Sequence, residues 1–220
     1  MVEKQIRKSR SDGEQSREKL LLAAMKLFAE QGFARTSTRE IALAAGANVS
    51  AISYYFGDKA GLYKAALTDF LPPPQNNIDM FDQPHFTLRQ SLEGYYAQLL
   101  GPMLEGEEAE LCSRLWLREI LEPMGVWANE VDNGIRAEHT AFVGVLARHM
   151  GVPVDDEIHR MAHACASMGV HLMIGTDVIK ALTPQLLAAP DALRGWLPRL
   201  AGYAEAIVLA QIETLKKGAA

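Results

Sequence analysis

Residues 37–59 of this 220-residue chain read STREIALAAGANVSAISYYFGDK. Their first four residues have the S/T-x-x-E pattern of a capping box, which predicts a short helix that ends near Ala45. Gly46 predicts a tight turn after that helix. A second short helix is expected over 49–56, where apolar residues recur at helical spacing and Gly57 follows as a stop signal.

Two short helices joined by a glycine turn are the elements of a helix-turn-helix, whose second helix lies in the major groove of DNA. We expect Val49, Ile52 and Phe56 to form the inward face of that helix. The small or polar positions expected to approach base edges are Ser50, Ala51, Ser53 and Tyr54. The donors expected to reach phosphates are Thr38, Arg39, Tyr55 and Lys59. The same pattern also suits two amphipathic helices inside an all-α domain that binds no DNA.

Helical periodicity continues on both sides of this segment. A helix over 14–31 is expected to end at Gly32, and a helix over 59–70 is expected to be capped by Asp58. Prolines 72–74 then interrupt the chain. The long helices expected after this break are 86–104, 106–121, 125–150, 154–175 and 190–216. Since no segment alternates with the two-residue period of a strand, the expected fold class is all-α.

Positive charge is concentrated near the N-terminus. Residues 1–66 contain eleven Lys and Arg against seven Asp and Glu, while the whole chain has a formal net charge of −5. The segment is therefore positive and the remainder is strongly acidic. This asymmetry points to one polyanion-binding end, although so small an excess also fits an ordinary solvated surface.

The composition excludes several classes of protein. A chain that is 49% hydrophobic and 22% charged is typical of a globular protein. It contains no apolar run long enough for a membrane span, and its start is too polar for a signal peptide. The two cysteines fit a reducing compartment, so we expect a cytoplasmic protein without a membrane partner. Common nucleophile and nucleotide-binding motifs are absent, so neither an enzyme nor a cofactor is expected.

The helix-turn-helix segment and its flanks resemble the DNA-binding domain of TetR-family transcriptional regulators. The resemblance covers about 14–70 and is carried most strongly by residues 54–59, YYFGDK. It implies a DNA-binding helix-turn-helix domain of three helices over 14–70. A basic, flexible leader over 1–13 would precede it, and a helical effector-binding and dimerisation domain over 71–220 would follow. Ser53 departs from the family, which often has Tyr or Asn there.

The resemblance also implies partners. Family members are homodimers that bind double-stranded operator DNA, usually as repressors released by a small-molecule effector. Carried over position by position, the implied DNA contacts are Thr38, Arg39, Asn48, Ser50, Ala51, Ser53, Tyr54, Tyr55 and Lys59. The alternatives are a helical adaptor that binds no DNA and, from another class, a small enzyme.

The C-terminal region has aromatic residues and methionines at helical spacing, which suit either a core or a ligand pocket. The candidates for effector contacts are Tyr95, Leu99, Met103, Trp116, Trp127, Met168 and His171. By analogy with the family, the helices over 154–175 and 190–216 are expected to pair across a dimer. The candidates for that interface are Met161, Cys165, Leu200, Tyr203, Ile207 and Gln211.

All six histidines follow residue 84. His159 and His163 lie four residues apart and therefore share one face of a helix. Such a face could bind a transition metal, form a polar stripe, or respond to pH. Because no further metal-binding motif accompanies the pair, no metal site is predicted.

Overall fold

The computed structural model describes residues 2–69, 78–104, 107–126, 134–189 and 191–218. Within them it describes the side chains of 13–69, 78–101, 103–104, 111–126, 134–189 and 191–217. Across this part of the chain the regular structure is helical, which confirms the all-α prediction. The helices are α1 (Val2–Gln31), α2 (Thr38–Ala44), α3 (Val49–Phe56), α4 (Lys59–Thr68), α5 (Leu88–Leu104), α6 (Glu107–Leu121), α7 (Arg136–Met150), α8 (Asp156–Ile174), α9 (Thr176–Leu182) and α10 (Ala192–Gly218).

Most helix boundaries lie close to the predicted ones. The leader predicted to be flexible forms the first turns of α1, which begins at Val2. Among the described residues, the predicted helix over 125–150 is helical at 126 and from 134 onward, with the α-helix itself at Arg136–Met150. Part of that prediction lies outside them, at 127–133, as do Phe70 and the proline break at 72–74.

Helix α9 was not predicted. Gly175 ends α8, and the chain turns by 74° into α9. Among the described helices, none is by itself long and apolar enough to cross a membrane, and only the bent α8–α9 pair meets that composition when taken together.

The chain divides into two compact units. The N-terminal unit contains α1–α4 together with α6, and the C-terminal unit contains α5 and α7–α10. The predicted domain division near residue 70 placed the sequence of α6 with the C-terminal helices, whereas α6 packs on α1 and α4. The functional boundaries of the domains stay a prediction.

The core of the N-terminal unit is formed by the faces that periodicity predicted to point inward. Its largest fully buried members are Leu20, Met25, Phe28, Ile41, Ile52, Leu62 and Leu67. Local signals also appear where expected. Gly32 and Gly57 end α1 and α3 with φ of +80°, a backbone conformation that glycine adopts without strain. Asp58 caps α4, as its Oδ1 accepts a hydrogen bond of 2.8 Å from the backbone N–H of Gly61.

Helix α6 is attached to the ends of α1 and α4 by polar contacts. Arg118 donates from Nε to the carbonyl of Ala29 at 2.8 Å and from Nη2 to that of Glu30 at 2.9 Å. A cation is favoured there because the last turn of a helix has unpaired carbonyls. Trp116 donates from Nε1 to the carbonyl of Leu67, in the last turn of α4, at 3.1 Å.

The carboxylate of Glu119 is fully buried in the same unit. It accepts hydrogen bonds from the hydroxyl of Tyr63 at 3.0 Å and from the backbone N–H groups of Met124 and Val126 at 3.0 and 2.8 Å. Burial and the adjacent carboxylate raise the pKa of Tyr63, so its hydroxyl stays protonated and able to donate. Glu119 thus joins α4, α6 and the turn after α6.

The C-terminal unit is built around α5, which packs against α7, α8 and α10. Tyr96, Phe81 and Phe142 are its largest fully buried side chains. The Tyr96 hydroxyl donates to the backbone carbonyl of Cys165 at 2.7 Å, which joins α5 to α8. Both cysteines of the chain are buried, one in each unit, and burial raises the pKa of Cys112 and of Cys165 to about 11.

Three histidines meet on the surface of α7 and α8. Nε2 of His139 lies 3.0 Å from Nδ1 of His159, with the ring centroids 5.3 Å apart. The ring of His163 stacks on that of His139 at 4.7 Å. The 3.0 Å distance between these two nitrogens is that of a hydrogen bond from one imidazole to the other. Among the described residues, no group of three or more His, Cys, Asp or Glu side chains is arranged to hold a metal ion.

We predict that Gly61→Ala destabilises the N-terminal unit. A Cβ at this position would lie 2.0 Å from the backbone carbonyl oxygen of Phe56, so the turn between α3 and α4 would have to open. The expected loss in the free energy of unfolding is about 2 kcal/mol or more, measured by urea unfolding. Gly144→Ala is the matched control, because its Cβ meets nothing within 4 Å. It should be neutral or stabilising by up to about 1 kcal/mol. Equal stability of the two variants would contradict the prediction.

We also predict that stability falls as the pH decreases below about 6.5, the ordinary pKa of histidine. Burial, then the charges of His163 and His159, lower the pKa of His139. The unfolded chain therefore binds more protons than the folded one as the pH falls. The folded state has its full stability with respect to His139 above about pH 6.5 and loses stability as the pH falls below that value. Urea unfolding of His139→Phe between pH 7.5 and 5 should show a smaller loss than wild type. The exposed His171→Phe is the control, and identical pH slopes for all three proteins would refute the role of His139.

Candidate nucleic-acid interface

Helix α3 is held at both ends by local hydrogen bonds. Its N-cap is Asn48, whose Oδ1 accepts from the backbone N–H of Ser50 at 2.9 Å and from the Ser50 hydroxyl at 2.8 Å. At the other end, the N–H of Gly57 donates to the carbonyl of Ser53. The capping role of Asn48 was not part of the sequence prediction, and it leaves less of this side chain for DNA. The helix is thus short, and its first and last turns are fixed.

The exposed face of α3 differs from the predicted one at two positions. Ser50, Ser53 and Tyr54 are exposed as expected, with Tyr54 82% exposed. Val49 was predicted to point inward and is instead 41% exposed, because it lies in the first turn, beyond the part of α3 that packs on the core. Ala51 was predicted to point outward but is half-buried against the core.

The inward face of α3 consists of Ile52, which is buried, with help from two half-buried aromatic residues. Tyr55 and Phe56 both pack on the core of the N-terminal unit. The ring of Tyr55 also lies against that of Tyr54, edge to face, with the centroids 4.9 Å apart. Tyr55 therefore supports the exposed Tyr54 as well as the core.

The predicted phosphate contacts on α2 follow a fully formed capping box. The backbone N–H and hydroxyl of Ser37 donate to Oε2 of Glu40 at 2.8 and 2.7 Å, and the N–H of Glu40 donates to the Ser37 hydroxyl at 3.2 Å. These bonds to Ser37 lower the pKa of Glu40. Thr38 is half-buried and Arg39 is exposed in the first turn of α2. The capping box was predicted from the sequence and is confirmed.

Lys59 is the first residue of α4 and is half-buried. Its Nζ lies 4.3 Å from the centroid of the Phe33 ring, which is a cation–π contact. The free N–H groups of a helix N-terminus favour an anion. Asp58 already occupies the N–H of Gly61, so fewer of these groups are available at the start of α4.

Helix α6 contributes functional contacts that the sequence did not reveal. Trp116, Arg118 and Glu119 look like ordinary members of an amphipathic helix, and their partners on α1 and α4 lie 49 or more residues away in the chain. A cavity of about 300 Å³ lies beside them, between the end of α1 and the end of α6. Its aromatic lining residues are Phe33 and Tyr63.

The effector candidates do not all belong to one unit. Four of them are half-buried and pack on the core of the C-terminal unit: Tyr95, Leu99, Met103 and Met168. The ring of Tyr95 stacks on that of Phe142 with the centroids 3.8 Å apart. Trp116 lies in the N-terminal unit, Trp127 lies outside the described residues, and His171 is exposed.

Half of the dimer candidates are core residues. Met161, Cys165 and Leu200 are buried within the C-terminal unit, and their place in a dimer interface stays a prediction. An apolar stripe on a helix can pack in the core of its own chain or against a partner helix. The sequence pattern does not distinguish between these two kinds of packing. Tyr203 and Ile207 of α10 are 53% and 39% exposed, and Gln211 is half-buried.

Two family descriptions match most of the chain. Residues 20–66 match bacterial regulatory proteins of the tetR family. Residues 88–211 match the C-terminal domain of the HTH-type transcriptional dual regulator CecR. The first match contains the helix-turn-helix, and the second extends from α5 to α10.

Individual proteins agree with both matches. The HTH-type transcriptional dual regulator CecR of Shigella flexneri is 30% identical over 155 residues, which are 66% of this chain and 69% of that protein. The HTH-type transcriptional regulator AcrR of the same organism is 40% identical over 57 residues, 26% of each chain. These relatives are transcriptional regulators rather than enzymes.

Solved structures share the fold. A tetR-family regulatory protein from Rhodococcus RHA1 aligns with a TM-score of 0.65 at 19% identity, over 88% of this chain and 96% of that one. HlyIIR, a hemolysin II transcriptional regulator, aligns with a TM-score of 0.57 at 23% identity, over 80% and 97%. Together with the sequence matches, these likenesses establish that the chain belongs to the TetR family of DNA-binding transcriptional regulators.

Proposed function

We propose that this regulator binds its operator as a homodimer, with α3 of each protomer in the major groove, and that a small molecule bound in the C-terminal unit alters operator affinity. The observation that carries the proposal is the exposed face of α3, which is polar and fixed at both ends by Asn48 and Gly57. A preorganised helix loses little conformational freedom when it enters the groove.

The proposed DNA contacts follow from exposure. Ser50, Ser53 and Tyr54 face the bases, while Arg39 and Lys59 hold phosphates. Thr38 and the amide nitrogen of Asn48 add further contacts in this proposal. Ala51 and Tyr55, which pack on the core, act mainly by positioning the helix.

The proposed dimer surface is the exposed side of α10. Tyr203 and Ile207 lie four residues apart and therefore share one face of this helix. An exposed aromatic and an exposed aliphatic residue on one face suit burial against a second copy of the chain. Two copies would present two α3 helices to the two halves of a near-palindromic operator.

The proposed route of signalling uses α6. This helix holds the last turns of α1 and α4 through Arg118 and Trp116, and the chain enters the C-terminal unit from both of its ends. We propose that a small molecule bound among Tyr95, Leu99 and Met168 acts on α6 through these two chain connections, and thereby on the helices that carry α3. The affinity for the operator changes only by the difference in the effector's affinity for the two conformations.

The proposed outcome of binding is repression in the cytoplasm, where operator DNA is found. An operator that overlaps a promoter would be blocked by the bound dimer. The relative CecR is described as a dual regulator, so activation at other promoters is the second candidate outcome.

We predict that Lys59→Ala weakens binding to every DNA sequence and flattens its salt dependence. Loss of one phosphate contact should reduce the log–log slope against salt by about 0.9 for each protomer. The measurement is fluorescence anisotropy between 50 and 300 mM salt, on a duplex selected from a random pool by the full-length protein. Lys180→Ala on α9 removes the same charge from the C-terminal unit and is the control. A slope unchanged by Lys59→Ala, or reduced equally by both variants, would remove the phosphate role.

The dimer surface is tested by Ile207→Glu. A buried carboxylate without a partner is costly, so this variant should shift the protein to monomer at micromolar concentration in light scattering coupled to size exclusion. Met80→Glu changes a similarly exposed apolar residue outside α10 and should remain dimeric. The proposed surface is wrong if wild type is a monomer or if Ile207→Glu remains a dimer.

A further inference from the structure

We infer that Val49 recognises thymine, by placing its methyl groups against the C5 methyl group of that base in the major groove. This inference rests on the proposal that α3 enters the groove. It adds a specificity-determining residue that the sequence pattern assigned to the protein core.

The exposure of Val49 is the first observation. It is 41% exposed in the first turn of α3, and it is not among the side chains that pack on the core of the N-terminal unit. Of the α3 residues exposed with it, Ser50 and Ser53 present hydroxyl groups and Tyr54 presents a phenol. Val49 is therefore the aliphatic side chain on an otherwise hydrogen-bonding face.

Helix propensity does not explain a valine at this position. Val49 is not among the buried or partly buried members of the core cluster, and valine has a lower helix propensity than alanine or the unbranched side chains. The major groove, in contrast, presents one apolar group, the C5 methyl of thymine. An aliphatic side chain at the start of a recognition helix is the chemical complement of that group, because recognition helices approach base edges with their N-terminal residues.

The neighbouring side chain supports the choice of base. Ser53 lies one turn after Val49 on the same face of α3 and is exposed. Thymine carries its O4 acceptor beside the C5 methyl on the same edge. A hydroxyl that donates to O4 and an aliphatic group that covers the methyl together fit this base, whereas cytosine offers an amino donor and no methyl. The Ser50 hydroxyl, by comparison, is already directed at Oδ1 of Asn48, at 2.8 Å.

The test uses the full-length protein and a duplex that it selects from a random pool. Each thymine of that duplex is replaced in turn by deoxyuridine, which removes one methyl group and changes no hydrogen bond. Loss of one buried methyl should weaken wild-type binding by about fourfold in each half-site. In Val49→Ser the same replacement should have no effect, whereas the matched variant Ser53→Ala should retain the wild-type penalty.

Each outcome decides a different point. A single sensitive thymine in each half-site, whose sensitivity Val49→Ser abolishes, supports the inference. Insensitivity of wild type at every thymine overturns it, and so does a penalty that Val49→Ser leaves unchanged. If Val49→Ser binds too weakly to measure, Val49→Thr keeps one methyl and should show a reduced penalty; an unreduced one overturns the inference. Failure of the wild-type protein to enrich any sequence would instead overturn the proposed placement of α3, which distinguishes the two failures.

Discussion

The buried carboxylate of Glu119 is the interaction on which the N-terminal unit depends. A charged group removed from water costs several kcal/mol unless its oxygens are hydrogen-bonded, and here one hydroxyl and two backbone N–H groups provide those bonds. The donors come from α4 and from the turn after α6, so neither segment can shift without leaving the charge unsatisfied. Since α4 directly follows α3, this carboxylate also fixes the support on which α3 rests.

The interface itself is governed by short-range chemistry. Three consecutive caps, at Ser37, Asn48 and Asp58, determine where α2, α3 and α4 begin, and each uses a side-chain oxygen to satisfy a backbone N–H of the first turn. Gly57 then permits the sharp reversal between α3 and α4. The surface offered to DNA is therefore determined mainly by the backbone, and the exposed side chains can change without changing the shape of the helix pair.

Local signals were readable from the sequence, and long-range ones were not. The capping box at Ser37, the cap at Asp58 and the stop at Gly32 each involve residues within a few positions of one another, so pattern alone predicted them. The attachment of α6 to α1 and α4 depends on partners 49 or more residues away, and no local pattern encodes it. The periodic spacing of apolar residues identified α3 as amphipathic, but it wrongly predicted that Val49 is buried. Periodicity cannot show how far along α3 the neighbouring helices cover its inward face. For the same reason, the pattern did not show that Met161, Cys165 and Leu200 are buried within their own unit.

The two cysteines set a limit on the signals that this regulator can receive through sulfur. Both thiols are covered by apolar side chains, and their raised pKa values keep them protonated at the pH of a living cell. Oxidants and electrophiles react with thiols that are both exposed and deprotonated. In this conformation the two thiols are neither exposed nor deprotonated. Since the chain has no other cysteine, a peroxide, a quinone or a heavy-metal ion meets no exposed thiolate in this conformation. A signal that depends on cysteine oxidation would first have to expose one of these two thiols to solvent.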